Sequence, residues 1–482
     1  MRRRRRDWAK LLTLTAAIAC SPKSSPSPDA HSRTLRAALS LEVTNFYLGD
    51  SLQKNVWNFN LLFAQALFLR TETSEIVGDL AESLEIASPE LVRIKVKAGS
   101  TFHDGRAVTC DDVVWSFDDA NRAESPYRST FAAIEKWTCR DGVFEIHLKR
   151  PIYALVERLV SGIRIYPKGA YPAQSQHPIG SGPYRFVSTN AQKSVWQKHP
   201  GYKGPLKVQS DTIEIYYVPD ARARYEWLKS GKLDLLLEWP SDMDPILERD
   251  AQNLQVLEYP NANVTVIGFN TRSGCFAKLA TRRAFAALLE KNPAWRAPFG
   301  PTAPYLLKAS ASTEVPADRE CQRGTLAYPA QSNFAFLGVP LTRAIAKPFK
   351  LSVVPQESSV FYSKLAAGAY DAFVMTLPSE EDAVALYEFL HSSQLPPQKN
   401  RFYLKDPAVD VLLSDLQVSR NAEERRRILH DLTLRLTDSV PFVPLGRAPG
   451  KLVSTKAVQF GKSLIQHPWL MMAEAVKKSD EH

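Results

Sequence analysis

Lys97–Phe117 reads KAGSTFHDGRAVTCDDVVWSF. His103, Asp104, Cys110, Asp111 and Asp112 lie close together in it. Such a set could hold a metal ion, carry acid–base chemistry, or serve structure alone. HDG reads as a turn, because Asp and Gly supply turn backbone chemistry. TCDDVVWSF then opens a helix, with Thr109 as N-cap and Asp112 closing a T-x-x-D capping box. Asp111 and Asp112 sit in the first turn, where the helix dipole favours negative charge by roughly 0.3–1 kcal/mol each. Val113, Val114 and Phe117 give the helix an apolar face. A metal ion needs ligands on one face, yet adjacent helical residues point about 100° apart. The stretch is therefore expected to build architecture, and no metal site is expected in it.

The flanking sequence alternates between strand and helix patterns. LVRIKVKAG (Leu91–Gly99), VFEIHLK (Val143–Lys149) and DTIEIYYVP (Asp211–Pro219) show the period of two that marks strands. EERRRILHDLTLRLTD (Glu423–Asp438) is an amphipathic helix, with Asn421 as N-cap and Glu424 closing a capping box. The mixture predicts an α/β protein. An internal echo sharpens this. YEWLKSGKLDLLLEW (Tyr225–Trp239) and YSKLAAGAYDAFVMT (Tyr362–Thr376) share the spacing of Tyr, Leu, Gly and Asp. In each, a helix is expected to end at a glycine, Gly231 or Gly368. A short buried strand then follows. Ligands in open α/β sheets sit beyond the carboxyl ends of strands. That points to Glu238 and Trp239 in one copy and to Met375 and Thr376 in the other.

The ends and the charge bound the class of protein. MRRRRRDWAK followed by LLTLTAAIA and Cys20 reads as an export signal over residues 1–19. Its apolar run is too short for a bilayer, which needs about 20 residues. AIAC is similar to a bacterial lipobox, which would make Cys20 the lipidated N-terminus. Ser21–Ser32 is rich in Ser and Pro and reads as a tether, so residues 20–33 are assigned to anchor and linker. The formal charge of +10 falls to about +5 once the basic signal is removed. No basic run remains in the body, which argues against nucleic-acid binding. Export implies an oxidising compartment. Cys110, Cys139, Cys275 and Cys321 allow three pairings; Cys110–Cys139 and Cys275–Cys321, nearest in sequence, are expected.

GDLAESLEI (Gly78–Ile86), running on through VRIKVKAGSTFHDGRAVTCDDVVWSF, resembles the signature of family-5 extracellular solute-binding proteins, the oligopeptide, dipeptide and nickel-type receptors of ABC importers. The resemblance continues at HPIGSGPYRF (His177–Phe186), HPGYKGP (His199–Pro205), IGFNTRSGCFAKLATRRAF (Ile267–Phe285) and Asp406–Leu445. It implies a two-lobed α/β periplasmic-binding-protein fold with an extra domain, the lobes joined by hinge strands around a ligand cleft. Residues 34–50, 178–268 and 441–476 would form lobe I. Residues 51–177 would form the additional domain packed on it, and 269–440 lobe II. The family's LDP near the mature N-terminus is replaced by LSLEVTNFYLGD, which brings Asn45 and Tyr47 forward as candidate lining residues. In peptide receptors of the family a Trp and an Asp follow the second YD strand, the Asp holding the ligand's α-amino group. Leu377 stands near that Trp here and Glu380 near that Asp.

The expected function is thus an exported, periplasmic or cell-envelope receptor, lipid-anchored and monomeric. It would deliver a small solute, most readily a peptide, to ABC permease subunits, with no cofactor. A metal-chelate or other solute receptor of the same fold, or a sensory or chaperone binding protein, is the alternative. No hydrolase motif, neither G-x-S-x-G nor H-E-x-x-H, is present, and no catalytic residue is assigned.

Overall fold

The computed structural model describes residues 33–478 except 49–53, 72–74, 123, 126–127, 171–175, 241–242, 251, 260–262, 291–323, 331–348, 350, 379–381, 448–449 and 462–466. The signal, Cys20, the tether, Cys321 and Glu380 lie outside the described residues.

Three sheets organise the body. A seven-stranded sheet runs, in spatial order, Leu254–Tyr259, Gly450–Thr455, Leu235–Leu236, Thr34–Leu39, Thr212–Tyr217, Lys193–Lys198 and Tyr184–Thr189. A five-stranded sheet runs Ser352–Gln356, Thr325–Pro329, Ala372–Leu377, Val264–Phe269 and Phe442–Gly446. Between the first two segments of the larger sheet the chain inserts an antiparallel four-stranded sheet, Ala81–Ser88, Leu91–Val96, Val143–Leu148 and Ile134–Arg140. These are the cores of two lobes and an additional domain, each with its own apolar cluster. The three segments with alternating patterns form the strands Leu91–Val96, Val143–Leu148 and Thr212–Tyr217.

The chain crosses between the two larger sheets twice, from Tyr259 to Val264 and from Gly446 to Gly450. Residues 264–268 and 442–446, expected in lobe I, therefore belong to the second lobe's sheet. All six residues of Val264–Phe269 are buried. A strand covered on both faces reads as a continuous apolar run, and nothing in such a run names the sheet it joins.

The echoed segments do the same work in both lobes. Gly231 and Gly368 follow their helices at φ of 74° and 71°, a left-handed conformation that suits glycine. Asp234 accepts the backbone N–H of Arg36 at 2.9 Å, and Asp371 accepts that of Thr325 at 2.9 Å. In each lobe the donor lies on the strand parallel to the one the Asp introduces. The repeated Asp thus ties neighbouring parallel strands together. Asp234 also takes the Arg36 guanidinium and the Lys477 ammonium, at 2.9 and 3.1 Å.

Every candidate ligand in Lys97–Phe117 has a structural partner. Asp112 opens the helix Cys110–Ala120 by accepting the Thr109 backbone N–H at 2.8 Å and its hydroxyl at 2.7 Å. Its second oxygen accepts the Lys168 N–H at 2.8 Å. Asp111 is exposed and meets Lys168 Nζ at 3.2 Å. Asp104 binds Arg106 within the turn. Cys110 is joined to Cys139 across 29 residues. Cys275 is also disulfide-bonded. Among the described residues, no group of three or more His, Cys, Asp or Glu is placed to share an ion. Loss of the Thr109 hydroxyl in Thr109→Ala is expected to cost about 1 kcal/mol. The shift in the denaturation midpoint reads it, and an unchanged midpoint would remove the cap from this account.

His103 docks the additional domain onto lobe I. Its backbone N–H donates to Gly180 O at 2.8 Å. Its Nδ1 accepts the Gly180 N–H at 3.3 Å, and its Nε2–H donates to Gly182 O at 3.1 Å. The ring is therefore the neutral Nε2–H tautomer. It meets His199 edge-on, centroids 4.8 Å apart.

Candidate functional site

Strand direction locates the cleft. Leu254–Tyr259 runs toward the first crossing, and antiparallel pairing sets Tyr259 against Gly450 where the second crossing arrives. Leu235–Leu236 is antiparallel to the Gly450–Thr455 strand, and Thr34–Leu39 is parallel to Leu235–Leu236. Their carboxyl ends thus point at the crossings. In the second lobe Val264 leaves the crossing and pairs with Leu377. The carboxyl end of Ala372–Leu377 therefore faces the same place. Ser40, Glu238 and Trp239 approach it from one lobe and Thr376 from the other.

A polar cluster is built at the first lobe's strand ends. Glu238 Oε2 accepts the Ser40 N–H at 3.0 Å. Trp239 Nε1–H donates to Asp244 Oδ1 at 3.0 Å, and Lys451 Nζ reaches Asp244 Oδ2 at 2.7 Å. Trp239 also meets Tyr225 edge-on at 6.1 Å. Tyr259 lies against the backbone of Gly450, where a Cβ would fall 2.1 Å from its ring. Burial, then the nearby Glu238 charge, push the Tyr259 hydroxyl up to about 12. Arg224 is buried and donates to Val218 O and Pro219 O at 2.7 and 2.9 Å, closing the turn after Thr212–Tyr217. The cluster is a half-buried surface of one carboxylate, one indole, one phenol and a Lys–Asp pair. Such a set can hold an ammonium group, a planar group or an amide.

The remaining sequence candidates are placed differently. Thr376 is half-buried and opposite Thr265. Met375 is on the same strand but packs in the core with Val266 and Leu377, because strand neighbours face opposite sides. Asn45 is exposed, and its Oδ1 accepts the Tyr47 N–H at 2.8 Å as a local turn. Tyr47 is fully buried; its hydroxyl donates to Asp119 and accepts from Arg122 at 3.2 Å. Met375 and Tyr47 thus occupy packing positions. Ser40, Asp244, Tyr259 and Lys451 were not singled out by sequence. The only hint in the chain was the strand-like run ending at Tyr259, and it takes the cross-strand register to show where that run leads.

The additional domain also touches the second lobe. Glu157, on helix Tyr153–Gly162, pairs with Arg425 at 3.1 Å and with Arg70 at 3.8 Å. Arg420 lies over the Tyr153 ring at 5.8 Å. Ala154 is part of the second lobe's helical core.

Comparison with known proteins agrees with this architecture. Residues 75–306 match the family model of bacterial extracellular solute-binding proteins, family 5, middle region. A glutathione-binding protein, GsiB of Pectobacterium atrosepticum, is 27% identical over 297 residues, covering 60% of this chain and 56% of that protein. The chain thus spans little more than half the length of that relative. Among solved structures, the periplasmic murein tripeptide binding protein MppA in its unliganded open form superposes with a TM-score of 0.77 at 16% identity, covering 94% of this chain and 99% of that one. HbpA2 from Haemophilus parasuis superposes with a TM-score of 0.77 at 18% identity, covering 92% and 100%. These two likenesses concern the fold, and the fold is that of two-lobed periplasmic binding proteins. The matched region lies over the very motifs that build the additional domain and its docking turn, and over residues 75–306 the chain is similar to the bacterial extracellular solute-binding proteins of family 5.

Proposed function

We propose that the protein is an extracytoplasmic receptor, not an enzyme, that closes its two lobes on a small solute and presents it to an ABC importer. A peptide is the favoured solute. The observation that carries this reading is the convergence of strand ends from both lobes on two chain crossings, with Glu238, Trp239 and Thr376 around them. Two short crossings permit hinge closure, and a ligand shifts that equilibrium by its extra affinity for the closed state. Glu238 keeps Oε1 without a hydrogen-bond partner among the described residues, so one carboxylate oxygen remains to meet an ammonium group. Relatives named for glutathione and peptide binding support the peptide. The reading includes export, a lipid anchor at Cys20, a position in the periplasm or cell envelope, and a monomeric state.

Native mass spectrometry of the purified mature protein, followed by thermal shift against peptide mixtures, tests this. Co-purifying peptide, or a melting point raised by added peptide, is expected. Released solutes that are never peptides, with no peptide raising the melting point, would sink the peptide reading. Glu238 and Glu380 are the carboxylates we assign to a ligand ammonium group. The one that holds it should lose about tenfold or more in affinity on conversion to Gln, for free-amine but not N-acetylated peptides. Unchanged affinity in both variants removes both residues from the site.

A further inference from the structure

A cavity of about 220 Å³ lies where lobe I meets the additional domain. It borders Leu48, on the segment that follows strand Thr34–Leu39. Its wall is largely apolar: Leu48, Trp57, Leu159, Ile163 and Tyr166. The charged groups that line it differ in how far they are already committed. Asp119 accepts from the Tyr47 hydroxyl and from Arg122 at 2.8 Å, so its charge is balanced. Arg164 is buried; its guanidinium lies 5.6 Å from the Trp57 ring, donates to Ser161 O at 3.3 Å, and faces buried Asp79. Arg158 is half-buried, and its guanidinium makes no hydrogen bond or ion pair among the described residues.

An uncommitted guanidinium in the wall of a largely apolar cavity selects for a particular shape of ligand. The body must be apolar and of about benzyl size, and the polar end must be an anion. A carboxylate suits best, because the guanidinium fork can meet both its oxygens. We propose that this cavity is a subsite for a carboxylate-bearing group with an aromatic or branched apolar body, and that Arg158 captures the carboxylate. Resting on the receptor reading, it assigns the C-terminal residue of a peptide to this cavity. Arg164 and Trp57 form the stacked wall that the apolar body meets.

Isothermal titration of the full mature protein tests it with two probe pairs. One pair is hydrocinnamate and its amide, which fill the cavity without being peptides. The other is a tripeptide ending in phenylalanine, as free acid and as C-terminal amide. The acid of each pair should bind at least about tenfold more tightly than the amide. Arg158→Gln should erase that preference by weakening the acid alone, with an unchanged melting point for the unliganded protein. A preference that survives in Arg158→Gln, or acids that bind no better than amides, overturns the proposal. Hydrocinnamate binding lost in Arg158→Gln while no peptide binds would uphold the subsite and sink the peptide reading. Peptide binding that ignores both the amide and the substitution would do the reverse.

Discussion

Gly182→Ala is expected to destabilise the protein by about 3 kcal/mol or more, and Gly180→Ala by a similar amount. The cause is a meeting of two backbones. A Cβ at position 182 would stand 2.5 Å from the carbonyl carbon of Phe63, 2.7 Å from Leu62 O and 2.8 Å from Ala64 N. At position 180 it would stand 2.0 Å from Phe63 O. Those atoms end the helix Lys54–Phe63, whose residues are packed into the lobe I core. Backbone inside a core cannot swing aside as a flexible side chain can. Moving the turn instead would break the Gly182 N–H bond to Phe63 O at 2.9 Å and both ring bonds of His103. Gly162 is the control. It ends a helix with nothing within 4 Å of a built Cβ, so Gly162→Ala should change stability by less than about 1 kcal/mol. Urea denaturation of the variants reads both values. A Gly182→Ala protein as stable as wild type would show that the turn does not press on residues 62–64.

That turn also shows where sequence reading succeeds and where it stops. Local chemistry was legible. Thr109 and Asp112, Asn421 and Glu424, and the glycines after two helices all act within four residues of themselves. The second capping box differs in one detail. Asn421 accepts the Glu424 N–H at 2.8 Å, but the Glu424 carboxylate returns to the Arg420 N–H at 3.0 Å. The repeat was legible as a helix, a turn and a strand, while the task of its Asp required the parallel neighbour, distant in sequence. His103 was legible as a turn residue. Its partners at 180 and 182 were not, because docking of two domains leaves no periodic signal. The site divides along the same line. Strand ends could be named, so Glu238, Trp239 and Thr376 came forward. Which side of a strand a residue faces, and what covers it, decided Met375 and Tyr47, and both depend on packing. Lys451 reaches Asp244 across more than two hundred residues, through a strand that enters the first sheet from the second lobe.

The same docking predicts the protein's response to acid. Burial, partly offset by the bond to Gly182 O, depresses the His103 pKa to about 3. His199, Arg185 and Asp104 face the ring as well; the first two oppose its protonation and Asp104 favours it. His199 is itself held below its ordinary value by burial, despite its 3.2 Å bond to Thr101 O. In the unfolded chain an imidazole takes its proton near pH 6.5. Above that pH neither state is protonated at His103, and its contribution is fully present. Below it the unfolded chain binds a proton that the folded one refuses, so stability falls as pH falls, down to about pH 3. Each unit of difference corresponds to about 1.4 kcal/mol. Allowing for the part of the ring that reaches solvent, about 2–4 kcal/mol should be lost across that window. Protonation acts on one joint, because Nδ1 must stop accepting from Gly180 before it can carry a proton. The additional domain should therefore loosen from lobe I before either core melts. His103→Gln should be less stable at neutral pH and should show a shallower decline below pH 6.5, read by denaturation midpoints at a series of pH values. Hydrogen exchange at residues 180–182 and 101–106 should quicken first in the wild type as the pH falls. A variant whose decline matches wild type would move the acid sensitivity to other groups.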